Sequence, residues 1–227
     1  MQIIAVSPHL DDAALSVGAS LAALARGGHD VTVLTCFTRS VPDPTGFALA
    51  CQTDKGLAPE VDYMALRRAE DAAACAALGA TPMWLDWPEA PHRGYHSAAA
   101  LFGPLRDDEA ALTLPDLPAD LLLAPQAIGG HVDHVVLAEA LRHETRPILW
   151  WTDYPYARQR HARRPIDFSA LPALQVKGDA VARLAACAAY ASQLGFQFGS
   201  ASGLRAALAE AGATELFNGR ALPWDLR

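Results

Sequence analysis

Residues 2–18 read "QIIAVSPHLDDAALSVG", an apolar run that passes into a helical pattern through a histidine and two aspartates. The first six of these residues are typical of a buried strand. Ala14, Val17 and Leu21 then recur at the spacing of a helix, which we expect to end at the glycine pair 27–28. A strand, a polar turn and a helix in this order predict the first part of a βαβ unit.

The same alternation continues along most of the 227 residues. Further strands are predicted at residues 30–37, 83–87, 120–126, 147–154 and 214–219, and further helices at residues 63–80, 133–143 and 178–193. Between them we expect irregular segments at residues 38–61, 88–96 and 157–164, the last a basic run exposed to solvent. This order predicts an α/β fold: a Rossmann-like, mostly parallel sheet with helices on both faces, in a single domain over residues 1–227.

The composition of the chain limits its partners. Its net charge is −7 and its isoelectric point about 5.5, so we expect no nucleic-acid partner. No stretch approaches the roughly 18 apolar residues of a membrane helix, and the first residues lack the pattern of a signal peptide. We therefore expect no membrane insertion and a cytoplasmic location. The four cysteines have no CxxC spacing and are expected to be reduced.

His9, Asp11 and Asp12 follow the first strand directly, at the edge where open parallel sheets bind ligands. Aspartate is a preferred helix N-cap, and this alternative explains one aspartate but not two beside a histidine. Two neighbouring carboxylates repel each other in a partly dry cleft unless a cation compensates. The cluster therefore favours a metal ion at this edge.

A second cluster, "GGHVDHVV" at residues 129–136, follows the strand predicted at 120–126 and opens another helix. A capping aspartate between surface histidines is the alternative interpretation. Taken with the first cluster, it offers two histidines and a carboxylate, with a fourth position left to water, which is a recurring arrangement of hydrolytic zinc sites. Imidazole ligands favour zinc over Mg²⁺ or Ca²⁺.

The "SPHLDDA" stretch, the HxDH cluster and the strand order resemble the LmbE-like, or PIG-L, family of zinc-dependent de-N-acetylases, over most of residues 2–193. The signatures of that family are a PHPDDE-type turn and a later HxDH motif. Carried over residue by residue, the resemblance implies that His9, Asp12 and His134 bind Zn²⁺. Fe²⁺ could occupy the same site.

The resemblance also implies catalytic roles. Asp11 matches the general base, His131 the residue that stabilises the oxyanion, and Asp133 the residue that orients His131. Arg67, three residues before Glu70 on the helix after the long loop, would face the substrate. A surface ion pair between Arg67 and Glu70 is the alternative interpretation.

The chain departs from the family pattern at several positions. Leu10 and Ala13 replace a proline and an acidic residue of the PHPDDE turn, and neither is a ligand or the base. Gly129 stands where some relatives have a tyrosine, so any acid role of that tyrosine must be supplied elsewhere. Arg93, in the loop after the third strand, could contact substrate hydroxyls or an anionic group.

The expected reaction is hydrolysis of a linear amide by a metal-dependent amidohydrolase. Zinc would lower the pKa of its water from 15.7 toward about 7, Asp11 would accept the proton, and protonated His131 would hold the oxyanion with the metal. The resemblance implies an N-acetylated amino sugar or glycoconjugate as substrate. An intermediate of natural-product or thiol biosynthesis is the alternative, and a homo-oligomer is left open.

Two other classes of protein fit the sequence less well, and a third remains an alternative. A nucleotide-binding module is disfavoured because the sequence contains neither GxGxxG nor GxxxxGK[ST]. A serine hydrolase is disfavoured because "GSASG" at residues 199–203 has Ala201 where the nucleophile belongs. A catalytically silent binding protein on a Rossmann-like scaffold remains an alternative.

Overall fold

Seven strands form one sheet within residues 1–220, the part of the chain that the computed structural model describes. They are β1 (Gln2–Ser7), β2 (Asp30–Thr35), β3 (Thr81–Trp84), β4 (Leu121–Pro125), β5 (Ile148–Trp151), β6 (Ala173–Lys177) and β7 (Thr214–Asn218). Their order across the sheet is β3-β2-β1-β4-β5-β7-β6. The first five strands pair in parallel, whereas β7 is antiparallel to both β5 and β6. The predicted mostly parallel sheet is confirmed.

Helices cover both faces of this sheet. They are α1 (Asp12–Arg26), α2 (Gly46–Thr53), α3 (Tyr63–Leu78), α4 (Ala98–Leu101), α5 (Val132–Leu141), α6 (Ala180–Ala189), α7 (Ala191–Phe198) and α8 (Ala201–Ala211). Helices α1, α3 and α6 pack on the face that includes Ile3 and Ala5. Leu137 of α5 packs on the other face with Ile4 and Val6. Because successive strand residues point to opposite faces, β1 contributes to both cores.

Strand β1 is the point at which the winding of the sheet reverses, since β2 lies on one side of it and β4 on the other. Ile3 pairs with Val31 of β2 and with Leu121 of β4. In such sheets a crevice opens outside the carboxyl ends of the strands at the reversal. The turns that follow Ser7 and Pro125 therefore open toward the same edge.

Helix α1 contains a break at Val17, whose φ of −137° and ψ of 15° are not helical. In a regular helix the N–H of Ala19 would bond the carbonyl of Leu15. Instead, Ala19 N–H donates to Oε1 of Glu215 (2.9 Å), and the Leu15 carbonyl accepts from Nε of Arg183 (3.1 Å). Glu215 and Arg183 are buried and lie 3.6 Å apart. The two side chains replace the missing helical hydrogen bond.

Several elements differ from the sequence-based expectation. Helix α2 lies inside the segment 38–61 that was expected to be irregular, and neither β6 nor α8 was predicted. These elements bury few side chains: among the residues of β6 only Val176 is buried. The helix predicted at 178–193 is two helices, because Tyr190 has a ψ of 58° that interrupts the helical path. Short, half-exposed elements carry too weak an apolar pattern to be recognised.

The remaining features are the apolarity of the helices, the state of the cysteines and the position of the basic run. Within residues 1–220, no helix combines the length and the apolarity that a membrane crossing requires. The four cysteines are free, and three of them are buried. The basic run 157–164 is largely exposed, yet it contacts the rest of the chain: the Arg163 carbonyl accepts a hydrogen bond of 2.8 Å from the N–H of Gly129, and Arg158 pairs with Glu210.

Candidate metal centre and active site

The turn between β1 and α1 is shaped by Ser7. Its hydroxyl donates to the carbonyl of His9 (2.8 Å) and accepts from the N–H of Ala13 (3.2 Å). Asp11, inside the turn, has a φ of 138°, which residues other than glycine rarely adopt. Asp11 occupies the N-cap position of α1, but its side chain makes no capping hydrogen bond, so helix capping does not explain its carboxylate. Strained backbone of this kind is concentrated at functional sites.

The turns after β1 and β4 bring His9, Asp12 and His134 together. Oδ2 of Asp12 lies 3.2 Å from Nδ1 of His9 and 3.1 Å from Nε2 of His134. Burial opposes the ionisation of Asp12, but His134 and His9 outweigh it and hold the pKa of Asp12 well below its usual range. Nε2 of His134 is buried and has no hydrogen-bond partner among the described residues. An orphaned ring nitrogen beside a carboxylate and a second imidazole fits a divalent cation.

A second donor set is also within reach of one ion. The ligand atoms of His9, His131 and His134 all lie within 4.8 Å of one another. A cation could thus be held by His9 and His134 with either Asp12 or His131 as the third ligand.

Each of the two shared imidazoles is oriented by its own carboxylate. Nε2 of His9 lies 2.8 Å from Oδ2 of Asp133, and Nδ1 of His134 lies 3.0 Å from Oδ1 of Asp153. A carboxylate on one ring nitrogen holds the proton there and leaves the other nitrogen free for a metal. Asp153 follows β5 and also accepts from the N–H of Ile128 (3.0 Å).

Asp133 is fully buried, and its carboxylate contacts groups other than His131, the residue that it is expected to orient. Besides His9, its carboxylate accepts from the N–H of Ala90 (3.1 Å) and from Nη1 of Arg93 (2.7 Å). It does not orient His131 through its side chain, since the nearest approach to Nδ1 is 4.0 Å. The backbone N–H of Asp133 donates to Nδ1 of His131 instead (3.2 Å).

The hydrogen bond from Asp133 fixes the tautomer of His131. Because Nδ1 accepts, the proton of a neutral ring sits on Nε2. Burial lowers the pKa of His131 to about 3, although Asp133 opposes this shift. His131 is therefore neutral at physiological pH and not protonated as expected, and its Nε2–H remains a hydrogen-bond donor.

Asp11 is held between two side chains that lie far from it in the sequence. Nε2 of Gln197, on α7, donates to its Oδ2 (2.9 Å), and Nη2 of Arg67, on α3, lies 3.4 Å from the same atom. Burial raises the pKa of Asp11 to about 6, with Arg67 opposing the shift and Asp12 adding to it. A carboxylate poised near neutrality beside a metal site suits proton transfer.

Arg67 and Glu70 do not form a surface pair. Arg67 is buried, forms an ion pair with Glu89 (3.0 Å) and donates to the carbonyl of Leu10. Glu70 accepts from the N–H and the hydroxyl of Ser192, each at 2.7 Å, at the start of α7. Arg67 lines a pocket beside Asp11 and helps to hold that carboxylate in place. Glu70 anchors the helix that carries Gln197.

Arg93 does not line the pocket, so it is not placed to contact a substrate there. Its guanidinium is held by Asp133, by Glu109 (3.0 Å) and by the carbonyl of Pro88 (2.8 Å), and it stacks over Phe37. Among the described residues, those that line the catalytic pocket do not include Arg93. The structure places it behind the site, as a support for Asp133.

A pocket of ≈ 150 Å³ opens in front of the candidate metal ligands. Its walls include side chains that the sequence interpretation did not single out: Lys55, Tyr63, Tyr156, Gln193, Phe196 and Gln197. Tyr63 lies on α3, and Gln193, Phe196 and Gln197 lie on α7. Asp153 lies two residues after the end of β5, at the same edge as the two clusters, but inside the strand predicted at residues 147–154.

The fold and the donor set define a Rossmann-like α/β protein with a group of side chains that could hold a metal ion at the reversal point of its sheet. A family model described as PIG-L, GlcNAc-PI de-N-acetylase, matches residues 4–144, and the chain belongs to this family.

Individual relatives agree with this assignment. The chain is 38% identical over 170 residues to a 2'-N-acetylparomamine deacetylase of Streptomyces fradiae; the match covers 69% of this chain but only 58% of that protein. Among solved structures, the zinc-inhibited form of the teicoplanin deacetylase Orf2 is 25% identical, with a TM-score of 0.74 over 96% of this chain and 97% of that one. The A40926 pseudoaglycone deacetylase Dbv21 is 32% identical, with a TM-score of 0.71 over 96% of each chain.

Proposed function

We propose that the protein is a zinc-dependent N-deacetylase that removes the acetyl group from an amino sugar within a natural-product glycoside. The observation that carries this proposal is the placement of Asp11, with a pKa raised to about 6, in the pocket directly beside the donor set of His9, Asp12 and His134. Metal-assisted amide hydrolysis requires a metal ion that activates water and a base beside it that accepts the proton.

His9, Asp12 and His134 would hold the metal, with Asp133 and Asp153 fixing the two rings. When bound, the cation supplies a Lewis acid that acidifies water and polarises the acetamide carbonyl. His131 is the alternative third ligand by distance, but its neutral Nε2–H is better used as a donor to the amide oxygen.

Asp11 would accept the proton of the attacking water and return it to the departing nitrogen. Water adds to the carbonyl carbon, the C–N bond breaks, and the products are acetate and a free amine. Arg67 and Gln197 hold the carboxylate in position for both transfers, since each contacts Oδ2.

The substrate class is supported by the relatives and by the pocket. The names of the similar proteins describe deacetylases of 2'-N-acetylparomamine, of teicoplanin and of A40926 pseudoaglycone. Tyr63 and Phe196 stand in the pocket wall, and Phe196 is 65% exposed. Aromatic faces of this kind stack on the apolar faces of sugar rings. An N-acetylated sugar with a further ring beyond the pocket fits this shape.

Release of amine tests the proposal. The metal-free protein is loaded with zinc in steps from below one equivalent, because a related deacetylase is known in a zinc-inhibited form. It is then incubated with 2'-N-acetylparomamine, a teicoplanin-type N-acetylglucosaminyl glycopeptide and free N-acetylglucosamine, and both amine and acetate are measured. We expect equal amounts of the two products from at least one glycoside, and none after chelation.

Loading with Fe²⁺ under anaerobic conditions, in a parallel series, tests the choice of metal. If no compound in the panel is hydrolysed by either metal form, while the protein binds one of the glycosides, the alternative of a catalytically silent binding protein is favoured.

A further inference from the structure

A tyrosine ring covers the turn that precedes His131. Gly129 has a φ of +98°, and a Cβ added to it would lie 2.8 Å from both Cγ and Cδ1 of Tyr156. The ring thus fills the space that a side chain at position 129 would need. The N–H of Gly129 donates to the carbonyl of Arg163, which fastens the segment after β5 onto this turn. Glycine is required here both by the backbone and by the ring above it.

The same ring forms part of the catalytic pocket. Tyr156 stands edge-on to His134, with ring centroids 5.5 Å apart at 83°, and beside Phe102 at 6.0 Å. Phe102 in turn stands edge-on to His131 (5.3 Å). Tyr156 therefore lies on the wall that carries both histidines of the second cluster, and its ring has little freedom to turn away.

The hydroxyl of Tyr156 has no hydrogen-bond partner within residues 1–220. The hydroxyl is a hydrogen-bond donor in a pocket whose carboxylates, those of Asp11 and Asp12 among them, are acceptors when ionised. A donor held without a partner in a preformed site is available to a ligand.

We propose that Tyr156 is a further catalytic residue, whose hydroxyl donates a hydrogen bond to the substrate oxygen that gains negative charge during hydrolysis. This rests on the proposed deacetylase function. His131 and Tyr156 both line the pocket, and the ring of Phe102 contacts both of them, so the proposal assigns their Nε2–H and O–H to the same oxygen. Preformed pairs of this kind stabilise the transition state more than the bound substrate.

The variant Tyr156→Phe tests the assignment, because it removes the hydroxyl and keeps the ring that packs over Gly129. We expect kcat to fall by about 10²-fold while KM changes by less than about threefold, as for loss of one oxyanion donor. The melting temperature should be unchanged. The matched control is Tyr154→Phe, two residues earlier, whose hydroxyl accepts from Arg158 (3.2 Å) outside the pocket. It should keep wild-type kcat and KM.

Binding of methylphosphonate provides a readout that does not depend on turnover. This tetrahedral anion carries the methyl group of acetate and offers charged oxygens to the same donors. By calorimetry on the zinc-loaded protein, we expect Tyr156→Phe to bind it about tenfold more weakly and Tyr154→Phe to bind it like the wild type.

The outcomes separate the two proposals. Unchanged methylphosphonate affinity in Tyr156→Phe, or no binding by the wild type, overturns the role of Tyr156. Weaker binding by Tyr156→Phe in a protein that hydrolyses no amide leaves the donor in place and overturns the deacetylase function instead. Equal losses of kcat in Tyr156→Phe and Tyr154→Phe would assign the effect to the loop and not to the hydroxyl.

Discussion

The carboxylate of Asp133 lies 2.8 Å from Nε2 of His9, although 124 residues separate them in the chain. The contact couples the two motifs that the sheet brings together, because an HxDH aspartate orients the histidine of the other motif. Asp153, in the segment after β5, orients His134 in the same way. Both imidazoles that face Asp12 thus have their proton held on the far nitrogen.

Replacing Asp133 by asparagine should weaken zinc binding by about 10- to 100-fold, because His9 loses the carboxylate that fixes its tautomer. Competition with a chelating dye measures the affinity. Glu109→Gln is the matched control: Glu109 also binds Arg93 but does not contact His9, so its zinc affinity should stay within about threefold of the wild type. Equal affinities for the two variants would contradict the assigned role.

Asp153→Asn should weaken zinc binding by a similar factor of about 10 to 100, through His134. Arg93 does not contact Asp153, so this change leaves the support of Asp133 intact. The exposed Asp167, whose carboxylate accepts from Ser169 and from no other residue within 1–220, provides the comparison. An Asp153→Asn protein that binds zinc as tightly as Asp167→Asn would show that the second carboxylate is dispensable.

The two donor sets make opposite predictions for metal content. If Asp12 is the third ligand, Asp12→Ala should contain almost no zinc after dialysis, whereas His131→Ala should keep one zinc per chain and lose about 10²- to 10³-fold in kcat. Elemental analysis of both proteins checks this. Loss of zinc from His131→Ala, with zinc retained in Asp12→Ala, would instead favour the three-histidine set.

Asp11→Asn should bind zinc normally and lose about 10²- to 10⁴-fold in turnover, because an amide cannot accept the proton of water. Metal content and amine release are measured on the same preparation. Asn keeps the shape of the side chain and can still pair with Gln197, so folding should not change. Turnover near the wild-type rate would exclude Asp11 as the base.

Glu215→Ala should lower the free energy of unfolding by about 3–5 kcal/mol, because it leaves Arg183 as an uncompensated buried charge and removes the acceptor for Ala19 N–H. Urea denaturation measures the change. Glu210→Ala, which breaks the exposed pair with Arg158, should cost less than about 1 kcal/mol. Similar losses in the two variants would argue against a structural role for the break in α1.

The strand order was sufficient to bring the two clusters to one edge, and the family resemblance then selected His9, Asp12 and His134 within them. Parallel strands end at one edge, and each motif follows a strand that could be recognised from its apolar run. The same rule applies to Asp153, but "PILWWTDY" reads as one continuous strand to residue 154, whereas β5 ends at Trp151. An error of a few residues at a strand end was enough to hide a functional side chain.

Other features of the site depend on packing that no local pattern encodes. Gln197 reaches Asp11 only because α7 folds over the sheet edge, 186 positions later in the chain. The charge of His131 is set by burial, so a sequence comparison assigns the residue but not its protonation. Arg93 was placed in the correct region, but its partners Asp133 and Glu109 turn it away from the pocket.

The break in α1 bears on whether the catalytic motifs form an independent folding unit. The family model ends at residue 144, yet Ala19 N–H and the Leu15 carbonyl find their partners at Glu215 and Arg183. A fragment cut at that boundary would lack these partners, and it would also lack Asp153 and Gln197, which contact His134 and Asp11. The proposed metal-binding residues therefore take part of their support from beyond residue 144 and do not form a self-sufficient module.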